Sequence, residues 1–219
     1  MHLASVNIGQ ARPFQAKVVG QTGIFKEAVP GPVHIAAPGV AGDAICDVEN
    51  HGGPDQAVYV FGAPDYTWWS RELGTDLIPG TFGENLTVTD LVSAELSIGD
   101  RLHIGPRVVL EVTAPRIPCV TLARRMGDPR FLVRFRIAAR PGVYCRVIQP
   151  GDVQVGQTVR REPYPGEALT AIEVFEAFFA NRYDEETLRR HLAAPIAIRD
   201  REDKEQRLRE LLATRTTQG

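Results

Sequence analysis

Cysteine is scarce in this chain of 219 residues: Cys46, Cys119 and Cys145 are all it has. An odd, widely spaced set argues against a disulfide framework, and no two lie at the spacing of a zinc site. Such sparing use fits a reducing compartment, so a cytoplasmic protein is expected. The start, Met1-His2-Leu3-Ala4-Ser5-Val6, lacks the basic segment and long apolar run of a secretory signal. No apolar stretch reaches the roughly 18 residues of a membrane span, so no membrane is expected either. Charge of one sign is lacking too. Lys and Arg total 25 against 27 Asp and Glu, a net charge of −2, and nothing in that balance points to nucleic acid. The sequence holds no P-loop, no G-x-S-x-G, no H-E-x-x-H and no G-x-G-x-x-G opening a helix. Internal repeats and low-complexity segments are absent as well.

What is present is an ordinary globular composition, 43% hydrophobic and 24% charged, with two kinds of local pattern. Up to about Arg161 the chain is rich in Gly and Pro and carries short runs of β-branched and aromatic residues. Strands are expected at 16–19, 56–61, 85–88, 101–104, 108–112 and 142–148. Frequent turns between short strands suggest a β-barrel or sandwich. One helix interrupts them, Ala63 to Gly74, with a proline in its first turn and a glycine at its end. A second short helix is expected within 121–130.

Beyond Arg161 the pattern becomes helical. Thr170 and Glu173 form a T-x-x-E capping box ahead of an apolar helix through Phe179. Asp184 caps a second helix, Glu185 to Leu192, and Asp200 a third, running to about Leu212. About 50 residues of short helix have little core of their own, so they should dock on the β-rich part. The expected organisation is mainly β with an α appendage: a β-barrel domain over 1–163 and a three-helix appendage over 164–219.

Three segments carry chemistry. Ala114-Pro115-Arg116-Ile117-Pro118-Cys119 holds a thiol on a proline-stiffened loop beside a permanent positive charge. That is a setting for a thiolate offered to a metal or an electrophile. Cys145, inside an expected strand, reads as an inert small hydrophobe. Cys46 lies beside Asp47, whose charge would raise its pKa. His51-Gly52-Gly53 precedes a strand, and its glycines let backbone amides approach an anion or cofactor. Gly80-Thr81-Phe82-Gly83-Glu84-Asn85 is a second glycine-flanked turn, whose carboxylate and amide can read a heterocycle. Each turn also has a plain structural reading, as a local hydrogen-bonded bend. The arginines from Arg116 to Arg140 offer either phosphate readers or a solvated basic face paired with the acidic C-terminal helices. A Cys–His hydrolase pair from Cys119 with His51 or His103 is weighed against: the cysteine is not expected at a helix start.

The ordered set H-G-G-P-D-Q-A-V (His51 to Val58), G-T-F-G-E-N-L (Gly80 to Leu86), P-R-I-P-C (Pro115 to Cys119), R-P-G-V-Y (Arg140 to Tyr144) and G-D-x-x-x-G-x-x-V (Gly151 to Val159) resembles the MOSC family. That family is named from the C-terminal domain of molybdenum-cofactor sulfurases. The C-terminal helices resemble the appendage of its YiiM-like subgroup. The resemblance implies a MOSC-type β-barrel and a molybdenum–molybdopterin cofactor whose metal is ligated by Cys119, a soft thiolate suited to a dithiolene-bound metal. It implies a catalytic role for Cys119 in reducing N-hydroxylated compounds such as hydroxylaminopurine-type base analogues. His51, Gly52, Gly53, Gly83, Glu84, Asn85, Arg116 and Arg140 are the implied cofactor-binding residues. The chain has no haem or iron–sulfur module, so electrons would come from a separate flavin or iron–sulfur reductase. The alternative is a sulfur or cofactor carrier with a persulfide on Cys119. For the C-terminal helices three roles stay open: a lid, a homodimer contact or a docking surface for the electron donor.

Overall fold

The computed structural model describes residues 1–16, 18–181 and 183–218, with side chains to Thr214. The strands are β1 Leu3–Gly9, β2 Arg12–Pro13, β3 Gln21–Thr22, β4 Lys26–Ala28, β5 Val33–Ala36, β6 Gly39–Val40, β7 Val58–Gly62, β8 Leu86–Val88, β9 Arg101–Ile104, β10 Val108–Pro115, β11 Val143–Gln149, β12 Gly151–Val153 and β13 Val159–Glu162. The helices are α1 Ala63–Leu73, α2 Val120–Arg125, α3 Phe131–Ala138, α4 Ala171–Ala180, α5 Glu185–Ala193 and α6 Ile198–Gln218.

Eight strands form one sheet in the order β13-β9-β10-β11-β7-β8-β1-β4. The expected barrel is not closed by a full ladder. β1 and β13 meet only at the bridge His2–Thr158, flanked by bonds such as Leu3 N–H to Gln157 O, 2.9 Å. The neighbours β7 and β8 run parallel, so the chain must cross over between them, and α1 makes that crossover.

β7 explains the core. All five of its residues are buried, and side chains on a strand alternate between faces. Val58 and Val60 enter an aliphatic core with Leu86, Leu110 and Val112. Tyr59 and Phe61 enter an aromatic core with Trp69, Phe82, Phe131, Phe135 and Phe175. Phe61 stacks on Phe82 at 4.6 Å, and α1, α3 and α4 supply most of the other rings. Burying each such ring contributes about 2–3 kcal/mol.

Several expectations need correction. Ala16, Val18 and Val19 lie in a turn, not a strand, and Lys17 falls outside the described residues. Gln56 ends a short 3-10 turn, Pro54–Gln56, ahead of β7. The single helix expected within 121–130 is α2, starting directly after Cys119, and α3 follows it unforeseen. Asp200 does not cap the third C-terminal helix. It lies in the first turn of α6 and pairs with Lys204 one turn on. The other two caps form as expected. Thr170 and Glu173 make the reciprocal capping box of α4, and Asp184 accepts the Thr187 amide at the start of α5.

The C-terminal helices dock on the sheet through α4, which lies against β10, and through the start of α6. Ile198 N–H donates to Asp55 Oδ2 at 2.6 Å. Arg199 donates to the carbonyls of Glu49 (2.7 Å) and Val48 (3.2 Å). Arg146 from β11 reaches the carbonyls of Pro195 and Ile196. α6 therefore braces the loop that carries His51.

Candidate functional site

Cys119 sits where β10 gives way to α2. Pro115 is the last residue of β10, paired with Val143 of β11. Proline cannot continue the ladder as a donor, so the chain leaves the sheet there. Cys119 is the N-cap of α2, and its carbonyl accepts the amides of Leu122 (3.0 Å) and Ala123 (3.2 Å). The thiol is thus at a helix start, which removes that objection to a Cys–His pair. His51 is close at hand: its ring and the Cys119 thiol share a cavity wall, and the imidazole is the neighbour that most lowers the thiol's pKa. His103 is elsewhere, paired with Glu162 at 2.8 Å.

Burial alone would raise the Cys119 pKa. The His51 imidazole, the Arg116 charge and the Leu122 amide outweigh it and bring the thiol down to about 6. The other cysteines behave oppositely. Burial first, then Glu111, pushes Cys145 far up. Burial first, then Asp43 rather than the expected Asp47, raises Cys46.

Arg116 is 4% exposed. One guanidinium nitrogen donates to the Phe82 carbonyl, and the group lies 4.9 Å over the Tyr59 ring. Its Nε is buried without a partner. Burial works against its charge, but Tyr144, Tyr59 and Cys119 more than compensate and hold it protonated. Gly83 makes room for this arrangement. Its φ is +76°, and a Cβ there would lie 2.8 Å from Ile24 Cγ1 and 3.5 Å from the guanidinium.

These groups line a narrow cavity of about 100 Å³, with Cys119, His51, Gly52, Gly83, Asn85 and Arg116 all in its wall. Asn85 is fixed at both ends: its oxygen accepts the Tyr59 amide at 3.1 Å and its nitrogen donates to Asp43 at 2.9 Å. Lys26 pairs with the same Asp43, and burial lowers its pKa against that pairing. A wider cleft of about 800 Å³ opens on the other side of Cys119, against α4 and α6. His51, Gln56, Cys119 and Tyr144 border both spaces.

Three of the nominated residues stand apart from the cavity wall. Glu84 is fully buried, and one of its oxygens accepts from Gly80 N–H (2.6 Å), Tyr66 OH (2.7 Å) and Thr87 OH (2.8 Å). Burial raises its pKa despite those donors, and it ties the Gly80–Asn85 turn to α1 and β8. Arg140 pairs with the fully buried Asp65 at 2.6 Å and lies over Trp68. Gly53 is exposed on the turn beyond Gly52. The rest of the arginine stretch disperses: Arg125 serves the carbonyls of Ile24 and Gly80, and Arg134 serves Asp128 and Glu72. Its carboxylate partners belong to α1 and the α2–α3 turn, not to the C-terminal helices.

Sequence reasoning missed Lys26, Asp43, Gln56, Tyr59 and Tyr144. Gln56 stands inside the H-G-G-P-D-Q-A-V motif, and its neighbours there were the available signal. Lys26 gave none, because β4 is only three residues long.

A β-sheet with a cysteine just past the end of one strand, in one cavity wall with Gly52 and Gly83, is the arrangement on which the family comparison bears. The MOSC domain profile matches residues 47–160, and the chain belongs to this family. YflK of Bacillus subtilis is 36% identical over 154 residues, 69% of each chain. A protein of Gibberella moniliformis named reductase is 37% identical over 147 residues, 65% of this chain but 26% of that one. The crystal structure of YiiM from Geobacillus stearothermophilus superposes with a TM-score of 0.78 at 23% identity, covering 94% of this chain and 98% of that one. The shared fold therefore extends over the C-terminal helices.

Proposed function

We propose that this protein is a molybdenum-cofactor oxidoreductase that reduces N-hydroxylated compounds, with Cys119 as the protein ligand to the metal. The observation that carries the proposal is geometric: Cys119, His51 and Arg116 line one cavity at the start of α2, and the surroundings of the thiol lower its pKa. Membership of the MOSC family and the relative named reductase support the redox class.

The residues present fit such a cofactor. Among the described residues no group of three or more His, Cys, Asp or Glu is placed to hold a metal ion. A metal bound here must bring ligands of its own, and one soft thiolate then suffices. The buried, unpartnered Nε of Arg116 is a donor awaiting an acceptor. Gly52 and Gly83, both at positive φ, keep side chains out of the wall. Cys119 would hold the metal, while Asn85, Arg116 and the Gly52 and Gly83 backbone would hold the pterin.

When bound, the cofactor supplies the two-electron chemistry that converts R–NHOH, with two protons, into R–NH₂ and water. The chain keeps Cys119 ionised and places the His51 ring in the same wall as the thiol. Two electrons per turnover come from a separate reductase, which fits a cytoplasmic protein. Among the described residues no helix is long and apolar enough to cross a membrane.

The test is purification from a molybdopterin-competent host. Elemental analysis should find molybdenum, and reduction of a hydroxylaminopurine should depend on it. Cys119→Ser should lose both, and full activity in that variant would sink the proposal. The lowered Cys119 pKa beside His51 also favours a second reading, a sulfur carrier, since it activates a thiol equally well. Intact-mass analysis separates the two: a labile single-sulfur addition on Cys119 belongs to the carrier.

A further inference from the structure

We propose that the cleft between the Pro115–Cys119 segment and helices α4 and α6 is the substrate chamber, selective for uncharged planar aromatic compounds, with Gln56 as its positioning residue. The proposal rests on the reductase reading, in which the metal held by Cys119 faces the narrow cavity. A substrate then needs a second approach to Cys119, and the cleft supplies it. Cys119, His51, Gln56 and Tyr144 border both spaces. At about 800 Å³ the cleft lies within the range of small-molecule sites.

Its chemistry sets the ligand class. Phe178, Phe179 and Tyr183 line it, and Phe178, which meets Phe179 edge-on at 5.3 Å, is still 51% exposed. Flat ligands stack on such faces. The cations in the wall are already engaged. Lys204 pairs with Asp200 and Arg207 with Asp203, and both cations lie 5.2 Å over the Tyr183 ring. Arg199 is committed to the Val48 and Glu49 carbonyls. A phosphate entering here would meet carboxylates beside every cation except Arg199, so a free base is favoured over its nucleotide.

Gln56 supplies direction. Its Oε1 is buried and has no hydrogen-bond partner, at the junction of the two spaces. A buried acceptor left open costs about 1–3 kcal/mol until a donor fills it. The N–H or O–H of an N-hydroxylated ring nitrogen substituent is such a donor, and accepting from it would turn the N–O bond toward Cys119.

The experiment uses the holoprotein and measures molybdenum content together with equilibrium binding of a hydroxylaminopurine free base and its 5′-monophosphate nucleotide. Gln56→Leu and Phe178→Ala should each weaken base binding about tenfold with molybdenum content unchanged. The nucleotide should bind at least about tenfold more weakly than the base. Gln56→Leu should raise KM and also lower kcat, because the N–O bond loses its orientation, whereas Phe178→Ala should raise KM with kcat within about twofold. Wild-type affinity in Phe178→Ala, equal affinity for the nucleotide, or loss of molybdenum in Gln56→Leu would each overturn the proposal. The last would place Gln56 on the cofactor. Wild-type protein without molybdenum sinks the reductase reading instead. The chamber is then judged on base binding alone, and no binding overturns it.

Discussion

Removing the His51 side chain should silence the Cys119 thiol, and the size of the effect follows from its surroundings. With a pKa of about 6, against 9.0 for an unperturbed thiol, roughly 90% of Cys119 is thiolate at pH 7, where an ordinary cysteine has about 1%. The His51 imidazole is the largest of the influences that lower it, ahead of the Arg116 charge. His51→Leu removes that ring and any charge on it, so the alkylation midpoint should rise by about one unit or more, each unit being about 1.4 kcal/mol. The assay is the rate of iodoacetamide labelling against pH, on protein from a host that cannot make molybdopterin. Cys46 and Cys145 stay slow because both are shifted upward, and Cys119→Ser gives the background. A folded-state pKa below the unfolded one means the thiolate contributes stability that is fully present above about pH 9. That contribution is lost as pH falls through about 6. The pH dependence of Tm across this window should therefore flatten in His51→Leu. A wild-type midpoint near 8.5, or one unchanged by His51→Leu, would refute the reasoning.

Other perturbations separate scaffold from site. Arg140→Ala strands the fully buried Asp65 and should cost about 3–5 kcal/mol in urea unfolding while leaving Cys119 labelling as in the wild type. Glu84→Leu orphans the Gly80, Tyr66 and Thr87 donors, so a loss of at least about 3 kcal/mol is expected by the same measurement. Gly83→Ala forces a Cβ against Ile24 at a φ of +76° and should displace Arg116, seen as molybdenum content falling well below that of the wild type. Thr170→Ala breaks the α4 capping box and should lower stability by about 0.5–2 kcal/mol, again without effect on labelling.

Local signals in the sequence were reliable where one residue settles the geometry. Proline and glycine bounded α1, and Gly74 closes it in the left-handed conformation. Thr170 and Asp184 capped their helices. Asp200 misled because a carboxylate in the first turn of a helix and an N-cap look alike in sequence. The proline-stiffened thiol, the histidine–diglycine turn and the arginine next to the thiol were legible as candidates, and Cys119, His51, Gly52 and Arg116 line one cavity. Glu84 and Arg140 were equally conspicuous, yet a buried carboxylate and an arginine serve a scaffold through the same hydrogen bonds they would offer a ligand. Only the fold shows which way they face. β4, β5 and β6 are two to four residues long, too short for alternation to register. The wide cleft was invisible for another reason: its walls come from α4, α6 and the Pro115–Cys119 segment, brought together by tertiary packing alone.

The central claim is a bond between the Cys119 sulfur and molybdenum. X-ray absorption at the molybdenum edge, on protein from a molybdopterin-competent host, addresses it directly. About one metal per chain is expected, with about one more sulfur neighbour in the wild type than in Cys119→Ser. Metal-free wild-type protein, or a sulfur shell that is the same in both, would contradict the account.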